Sequence, residues 1–321
     1  PPLVIIAGPT ASGKSAAAVN LAGRVAGSVI SADSMQVYRG MNIGSAKITR
    51  EEMRGIPHYL IDCAEPWEEW NVVRFKKEAG AAAAEIRREG RLPILCGGTG
   101  FYIQALLYDI DFTEMEEDAG FRSALLEEAA AQGPGALHAR LREIDPEAAE
   151  SIHPNNVRRV IRALEFARQS GGARISEHNA QERQKPPAYD ALFFVLTMDR
   201  QKLYARIEER VDRMLKEGLE REVRGLKERG LTAGSTSMQG LGYKEILRAL
   251  DGECSMEEAR EQIIRSTRHF AKRQLSWFRR ERDVIWVDTD QFDSASALTD
   301  ALEERVRAHW KGTNREGKNQ E

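Results

Sequence analysis

Short apolar runs recur along the chain at Leu3 to Ala7, Ser28 to Ala32, Leu92 to Cys96, Leu192 to Thr197 and Val284 to Val287, and stretches of helical periodicity separate them. Brief, nearly continuous apolar runs of this kind read as strands buried on both faces. Their alternation with helices predicts an α/β fold, a parallel sheet core flanked by helices. Between the third and fourth runs, from about Asp111 to Ala188, no strand-like segment occurs. Helical patterns fill it instead, at Phe121 to Gln132, Gly135 to Arg142 and Val157 to Gln169, so a helical insertion is expected there. Its end is placed in the polar segment Asn179 to Pro187, because Pro186 and Pro187 cannot continue a helix. Further on, Arg200 to Arg229 reads as helical throughout, and Met256 to Arg282 as one long amphipathic helix before the last strand. The expected organisation is a core domain over 1–110, the insertion over 111–188, a second part of the core over 189–310 and a polar, disordered tail over 311–321.

The first strand runs directly into Gly8-Pro9-Thr10-Ala11-Ser12-Gly13-Lys14-Ser15, and the alanine-rich helix Ala16 to Ala26 follows. This is the full spacing of a phosphate-binding loop in the correct strand-to-helix context, and it makes the core a P-loop-type sheet. Gly8 and Gly13 let the backbone curl so that N–H groups converge on phosphate oxygens. Lys14 adds a point charge there, and Ser15 a hydroxyl suited to Mg²⁺. The plainer alternative is a glycine-rich turn that binds nothing.

Charge narrows the choice of partners little. The chain has 47 basic and 50 acidic side chains and a net charge of −3, so a nucleic-acid surface would have to be local. Cys63, Cys96 and Cys254 show neither disulfide-framework nor metal-ligand spacing, which fits a reducing cytoplasm. No apolar run approaches the ~18 residues of a membrane helix, and the chain opens on a strand without a charged leader. A soluble, cytoplasmic monomer without a membrane partner is therefore expected.

In open parallel sheets, ligands sit at the carboxyl ends of the strands. Besides the phosphate loop, that rule brings together Ser31-Ala32-Asp33-Ser34-Met35-Gln36 and Gly97-Gly98-Thr99-Gly100-Phe101-Tyr102. Asp33 is a carboxylate facing bound phosphate, which suits it to hold Mg²⁺ or to receive a proton; a turn cap is the alternative. The glycines around Thr99 suit close backbone approach to a ligand, or a tight turn. Arg206 and Arg210 could reach back to a phosphate, although Arg206 could instead pair with Glu209 and Arg210 could simply be solvated. Late in the chain, Arg265, Arg268, Lys272, Arg273, Arg279 and Arg280 interleave with His269, Phe270, Trp277 and Phe278, with no acid between Glu261 and Glu281. Such a tract suits a phosphate backbone with stackable bases, or else a solvated helix face. Arg158, Arg159, Arg162 and Arg168 form a second cluster, with Glu165 among them. His58 and His153 stand alone and read as structural.

Taken together, the phosphate loop and the segment Ser31 to Lys47 resemble the tRNA dimethylallyltransferase, or tRNA isopentenyltransferase, family. Gly97 to Tyr102, Asn156 to Glu165, Gln239 to Ile246 and Lys272 to Arg279 look like further family signatures in family order, and the likeness spans roughly residues 3 to 290. No zinc-finger tail is found, so a bacterial-type enzyme is implied. The resemblance implies transfer of a dimethylallyl group from dimethylallyl diphosphate to the exocyclic amine of the adenine just 3′ of the tRNA anticodon. It implies Mg²⁺ and no nucleoside triphosphate. By this resemblance Asp33 is the proton acceptor, Thr99 neighbours the amine and the bridging oxygen, and Lys14 and the loop stabilise the leaving diphosphate. The tRNA anticodon stem-loop would meet Asp33, Ser34, Met35, Gln36, Thr99 and Arg122, and then Val157, Arg158, Arg159, Val160 and Ile161. Further contacts would come from Gln239, Gly240, Leu241, Gly242, Tyr243 and Lys244, and from Lys272, Arg273, Gln274, Leu275, Ser276, Trp277, Phe278 and Arg279.

Three rivals share parts of this pattern. A small-molecule kinase would explain the phosphate loop but not the basic tract. An adenylate isopentenyltransferase acting on free nucleotide would share the chemistry without needing two basic clusters. A nucleotide-gated binding protein would not need Asp33.

Overall fold

The computed structural model describes residues 1–112 and 118–316. Six strands, β1 (Pro2–Ala7), β2 (Gly27–Ser31), β3 (His58–Tyr59), β4 (Leu92–Gly97), β5 (Asp190–Thr197) and β6 (Val284–Asp288), form one sheet in the order β3-β2-β4-β1-β5-β6. Every neighbouring pair is parallel. The α/β class expected from the apolar runs is the observed one. β1 lies between β4 and β5, so Leu3 to Ala7 are completely buried, which is why this strand is apolar at every position rather than alternating.

Helices α1 (Lys14–Arg24), α2 (Arg50–Met53), α3 (Val72–Arg88) and α4 (Gly100–Leu107) belong to the first half of the sheet. α5 (Ala119–Gln132), α6 (Pro134–Ile144), α7 (Pro146–Ser151), α8 (Val157–Gln169) and α9 (Ile175–Gln184) follow, and α10 (Arg200–Glu217), α11 (Leu219–Glu228), α12 (Tyr243–Leu250), α13 (Met256–Phe278) and α14 (Ala295–Glu316) complete the chain. Contacts divide it into two units, Pro1–Leu107 with Ala188–Glu321, and Tyr108–Pro187. In the first, Val4, Ile6, Ile94 and Phe194 of the sheet pack with Ala18 and Leu21 of α1 and with Leu302 and Val306 of α14. In the second, Leu125, Leu137, Leu141, Val160 and Leu164 form a separate core. Its buried Asp145 caps α7 at the Ala148 N–H (3.0 Å) and accepts from the Ser176 hydroxyl (2.6 Å), which ties α9 to α7.

Several local expectations need correcting. Strand β3 gives no sequence signal, because two residues paired to Val29 and Ile30 are too short to show periodicity. The helix expected without interruption from Arg200 to Arg229 is two helices, because Gly218 adopts φ 105° and ends α10 in a left-handed cap. α9 runs through Asn179 to Gln184, and the chain leaves helical geometry only at Lys185, just before the two prolines. α13 stops at Phe278 rather than Arg282, leaving a short turn before β6. The tail expected over 311–321 overlaps the last turns of α14, which ends at Glu316; 317–321 lie outside the described residues. Among the described residues no helix is long and apolar enough to cross a membrane.

Candidate active site

β1 ends at Ala7, and the chain turns through Gly8-Pro9-Thr10-Ala11-Ser12-Gly13 into α1. Ala11 (φ 67°) and Gly13 (φ 86°) both occupy the left-handed region. A non-glycine residue there stores strain, and surrounding contacts must hold it. The turn ends at the N-terminus of α1, the positive end of the helix dipole, where an anion is favoured. Ser12 is buried and its Oγ has no hydrogen-bond partner among the described residues. Lys14 Nζ donates to the Pro9 carbonyl (3.2 Å). Burial pulls its pKa down, with the nearby Arg210 charge adding to the effect and Asp33 opposing it. A diphosphate at this point would relieve that cost.

Two residues distant in sequence hold the loop. Gln274 on α13 accepts from the Thr10 N–H through Oε1 (2.8 Å) and donates from Nε2 to the Gly98 carbonyl (2.9 Å). It therefore joins the phosphate loop to the loop after β4. A Cβ on Gly98 would overlap the Gln274 amide, so glycine is required there for this close approach. Arg210 donates to Thr10 Oγ1 (3.2 Å), and burial followed by repulsion from Arg213 holds its guanidinium below the usual value. Arg206 lies over Gly13, its Nη1 4.0 Å from where a Cβ would stand. Among the described residues no ion pair joins it to Glu209, and Arg210 is half-buried rather than free in solvent.

These groups border a cavity of about 590 Å³, lined by Thr10, Ala11, Gly13, Lys14, Ser15, Asp33, Gln36, Cys96, Gly97, Arg210 and Gln274 among others. Asp33 Oδ1 caps the turn by accepting from the Met35 N–H (2.8 Å) and the Gln36 N–H (3.3 Å), so the capping alternative and exposure to the cavity coexist on one carboxylate. Thr99, half-buried, donates its N–H to the Ala32 carbonyl (3.3 Å) and starts α4 by accepting from Tyr102 N–H (2.9 Å). Ser15 and Cys96 both line the cavity, and burial pushes the Cys96 thiol pKa up to about 11. Among the described residues no cluster of His, Cys, Asp or Glu could cage a metal by itself. Ser15 and Asp33, both lining the cavity, are oxygen donors of the kind that suits a hard cation taking its remaining ligands from phosphate and water.

Arg213, which sequence reading missed, also lines the cavity, as do Asn42 to Thr49 apart from Gly44. Spacing held a signal for Arg213, because Arg206, Arg210 and Arg213 recur at four and three residues on α10.

The residues expected at RNA separate by exposure. On α13, Lys272, Arg273 and Ser276 are exposed, as is Arg279 just beyond its end, and Leu275 and Trp277 are half-buried, whereas Gln274 and Phe278 point inward. Ser34, Met35 and Gln36 are half-buried, and the Gln36 amide donates to the Ala46 carbonyl (3.2 Å). Gln239 is exposed, Leu241 and Lys244 are half-buried, and Gly240, Gly242 and Tyr243 are buried. In the second unit Arg158 and Arg159 are exposed and Val157 half-buried, while Val160 and Ile161 belong to the core. Arg122 makes a two-pronged pair with the fully buried Glu165 (2.9 and 2.8 Å), which Arg162 also approaches (3.5 Å).

A model of the family described as IPP transferase matches residues 36–281, and one described as isopentenyl transferase matches residues 1–65. The chain belongs to the IPP transferase family. Among its relatives, the tRNA dimethylallyltransferase of Lachnoclostridium phytofermentans is 54% identical over 94% of this chain and 96% of its own length. That of Acetivibrio thermocellus is 49% identical over 91% and 93%. The crystal structure of the tRNA isopentenylpyrophosphate transferase from Bacillus halodurans superposes with a TM-score of 0.74 at 42% identity, covering 98% of each chain. A eukaryotic dimethylallyltransferase described as acting on tRNA gives 0.78 at 31% identity, over 96% of this chain and 78% of that one. The chain therefore shares sequence and fold with family members of both bacterial and eukaryotic origin.

Proposed function

We propose that the chain transfers a dimethylallyl group from dimethylallyl diphosphate to the exocyclic amine of the adenine immediately 3′ of the tRNA anticodon, in the cytoplasm. The observation that carries this reading is a phosphate loop whose half-buried Lys14 shares one cavity with the Asp33 carboxylate. The diphosphate of the donor binds to the loop N–H groups, Ser12, Lys14 and Arg210. The adenine nitrogen attacks the first carbon of the donor and forms the new C–N bond. The C–O bond to diphosphate breaks, and its electron pair leaves with the diphosphate. Asp33 takes the proton that the amine loses, while the loop donors and Lys14 stabilise charge growing on the leaving oxygens. Mg²⁺ held by Ser15 would supply further charge neutralisation on the diphosphate. The exposed Lys272, Arg273 and Arg279 support a polyanionic acceptor rather than a free nucleotide.

Nucleoside mass analysis of an unmodified anticodon stem-loop, incubated with donor and Mg²⁺, tests the assignment. The prenyl group should appear on the adenine 3′ of the anticodon and vanish when that base is replaced by guanine. Prenylation that persists on the replaced stem-loop would overturn it.

A further inference from the structure

The strongest feature that the proposed chemistry does not absorb is a carboxylate outside the cavity that gathers the backbone of one of its walls. Glu222 on α11 accepts from three consecutive N–H groups: Asn42 (2.9 Å, Oε2), Ile43 (2.9 Å, Oε2) and Gly44 (3.1 Å, Oε1). Tyr243 at the start of α12 donates its hydroxyl to Glu222 Oε1 (2.7 Å), and its ring packs on Gly44. Tyr243 is fully buried. Burial and the Glu222 charge hold its phenol well above the usual value, so it stays a donor. Asn42, Ile43, Ala46 and Ile48 line the cavity, as do Arg210 and Met214 of α10.

We propose that Glu222 and Tyr243 are positioning residues for the donor pocket, a clamp that fixes the 42–48 wall against which the prenyl diphosphate is bound. This rests on the transferase reading above. The clamp contacts no reacting atom; it acts through the loop. A carboxylate bound to three adjacent N–H groups fixes their direction as a side chain on one of them could not, and a buried hydroxyl completes its acceptor set. Lys47 secures the far end of the same segment, its Nζ donating to the Tyr38 carbonyl (2.6 Å), Asn42 Oδ1 (3.0 Å) and Asp62 Oδ1 (2.5 Å). The cavity wall is thus tied at both ends. This assigns the Tyr243 side chain to the donor, although its neighbours Gln239 and Lys244 are candidates for RNA contact.

Tyr243→Phe, Glu222→Gln and Glu222→Ala test the assignment in the full chain by steady-state kinetics and by hydrogen exchange of the Asn42, Ile43 and Gly44 amides. Tyr243→Phe removes one hydrogen bond to a charged acceptor. It should raise KM for dimethylallyl diphosphate by about tenfold, with kcat and KM for the stem-loop unchanged. Glu222→Ala should exceed that, and Glu222→Gln, which keeps an acceptor oxygen, should recover part of the loss. The three amides should exchange faster in every variant. A rise in stem-loop KM with donor KM unchanged would hand Tyr243 to the RNA and overturn the clamp. So would amides that exchange at the native rate in Glu222→Ala. Because exchange needs no turnover, it judges the clamp even if the native chain fails to transfer a prenyl group.

Discussion

The phosphate loop and the outer face of α13 both present positive charge, but by different means. In the loop, the charge is the half-buried Lys14 at the positive end of α1, beside a cavity, with the loop held by Gln274 and Arg210. On α13 and its C-cap, it is the side chains of Lys272, Arg273 and Arg279, exposed and without an ion pair among the described residues. One arrangement suits a small anion whose position must be fixed to fractions of an ångström. The other suits a long polyanion bound by summed, screened contacts. Gln274 lies on the inner face of the helix whose outer face carries those cations, so a single element supports the loop on one side and presents exposed charge on the other. The second unit repeats the contrast, since Arg122 and Arg162 are committed to the buried Glu165 while Arg158 and Arg159 face solvent.

If the contrast holds, damage to the cavity side should appear in the chemical step, and damage to the exposed face in affinity. The largest effect should come from Asp33→Asn, which keeps a side-chain oxygen to cap the Met35 and Gln36 amides but abolishes the base. Single-turnover transfer should fall by ~10²–10⁴ with tRNA affinity nearly intact; parallel loss of both would remove the base assignment. Lys14→Met should slow transfer by about 10²–10³. The folded chain binds the Lys14 proton less tightly than the unfolded chain does, so the ammonium costs stability below its lowered folded pKa. That cost fades as pH rises toward 10.5. The ligand-free methionine variant should accordingly melt no lower than the native chain at neutral pH, as differential scanning calorimetry would register.

Gln274→Ala should reduce kcat by up to about 10², because it frees both the Thr10 N–H and the Gly98 carbonyl. Its stem-loop Kd should barely move. A Kd loss without a kcat loss would return Gln274 to the RNA contacts. The smallest effect should come from Arg273→Ala, which should weaken stem-loop binding a few-fold and reduce the salt slope of log Kd by about one phosphate contact, with kcat preserved. An unchanged slope in a fluorescence-anisotropy salt titration would assign Arg273 to its stacking contact with Phe270 alone.

The parts legible in the sequence are those whose signal is local. Val4, Ile5 and Ile6 mark β1 by apolarity alone, and Gly8 to Ser15 mark the phosphate loop by spacing, because neither needs a distant partner to be recognised. Asp33 was legible as a strand-end carboxylate, but its cap on Met35 and Gln36 and its place in the cavity needed coordinates. What composition concealed is which residues of a tract turn inward. Gln274 and Phe278 read as members of a basic, aromatic run, yet one bridges two loops and the other is core. Glu222 was invisible for the same reason. On α11 it is one acid among several, and only the return of Asn42 to Gly44 to its side chain, 180 to 178 positions away, gives it a purpose.

A prenyl donor in the cavity and a tRNA on the exposed face are tested together by transfer of label from radioactive dimethylallyl diphosphate with Mg²⁺, offered to unmodified tRNA in one tube and AMP in another. Label on tRNA alone is the expected outcome. Label on AMP would keep the chemistry and contradict the acceptor, and no label on either, with ATP hydrolysis or phosphate transfer in its place, would contradict the donor as well.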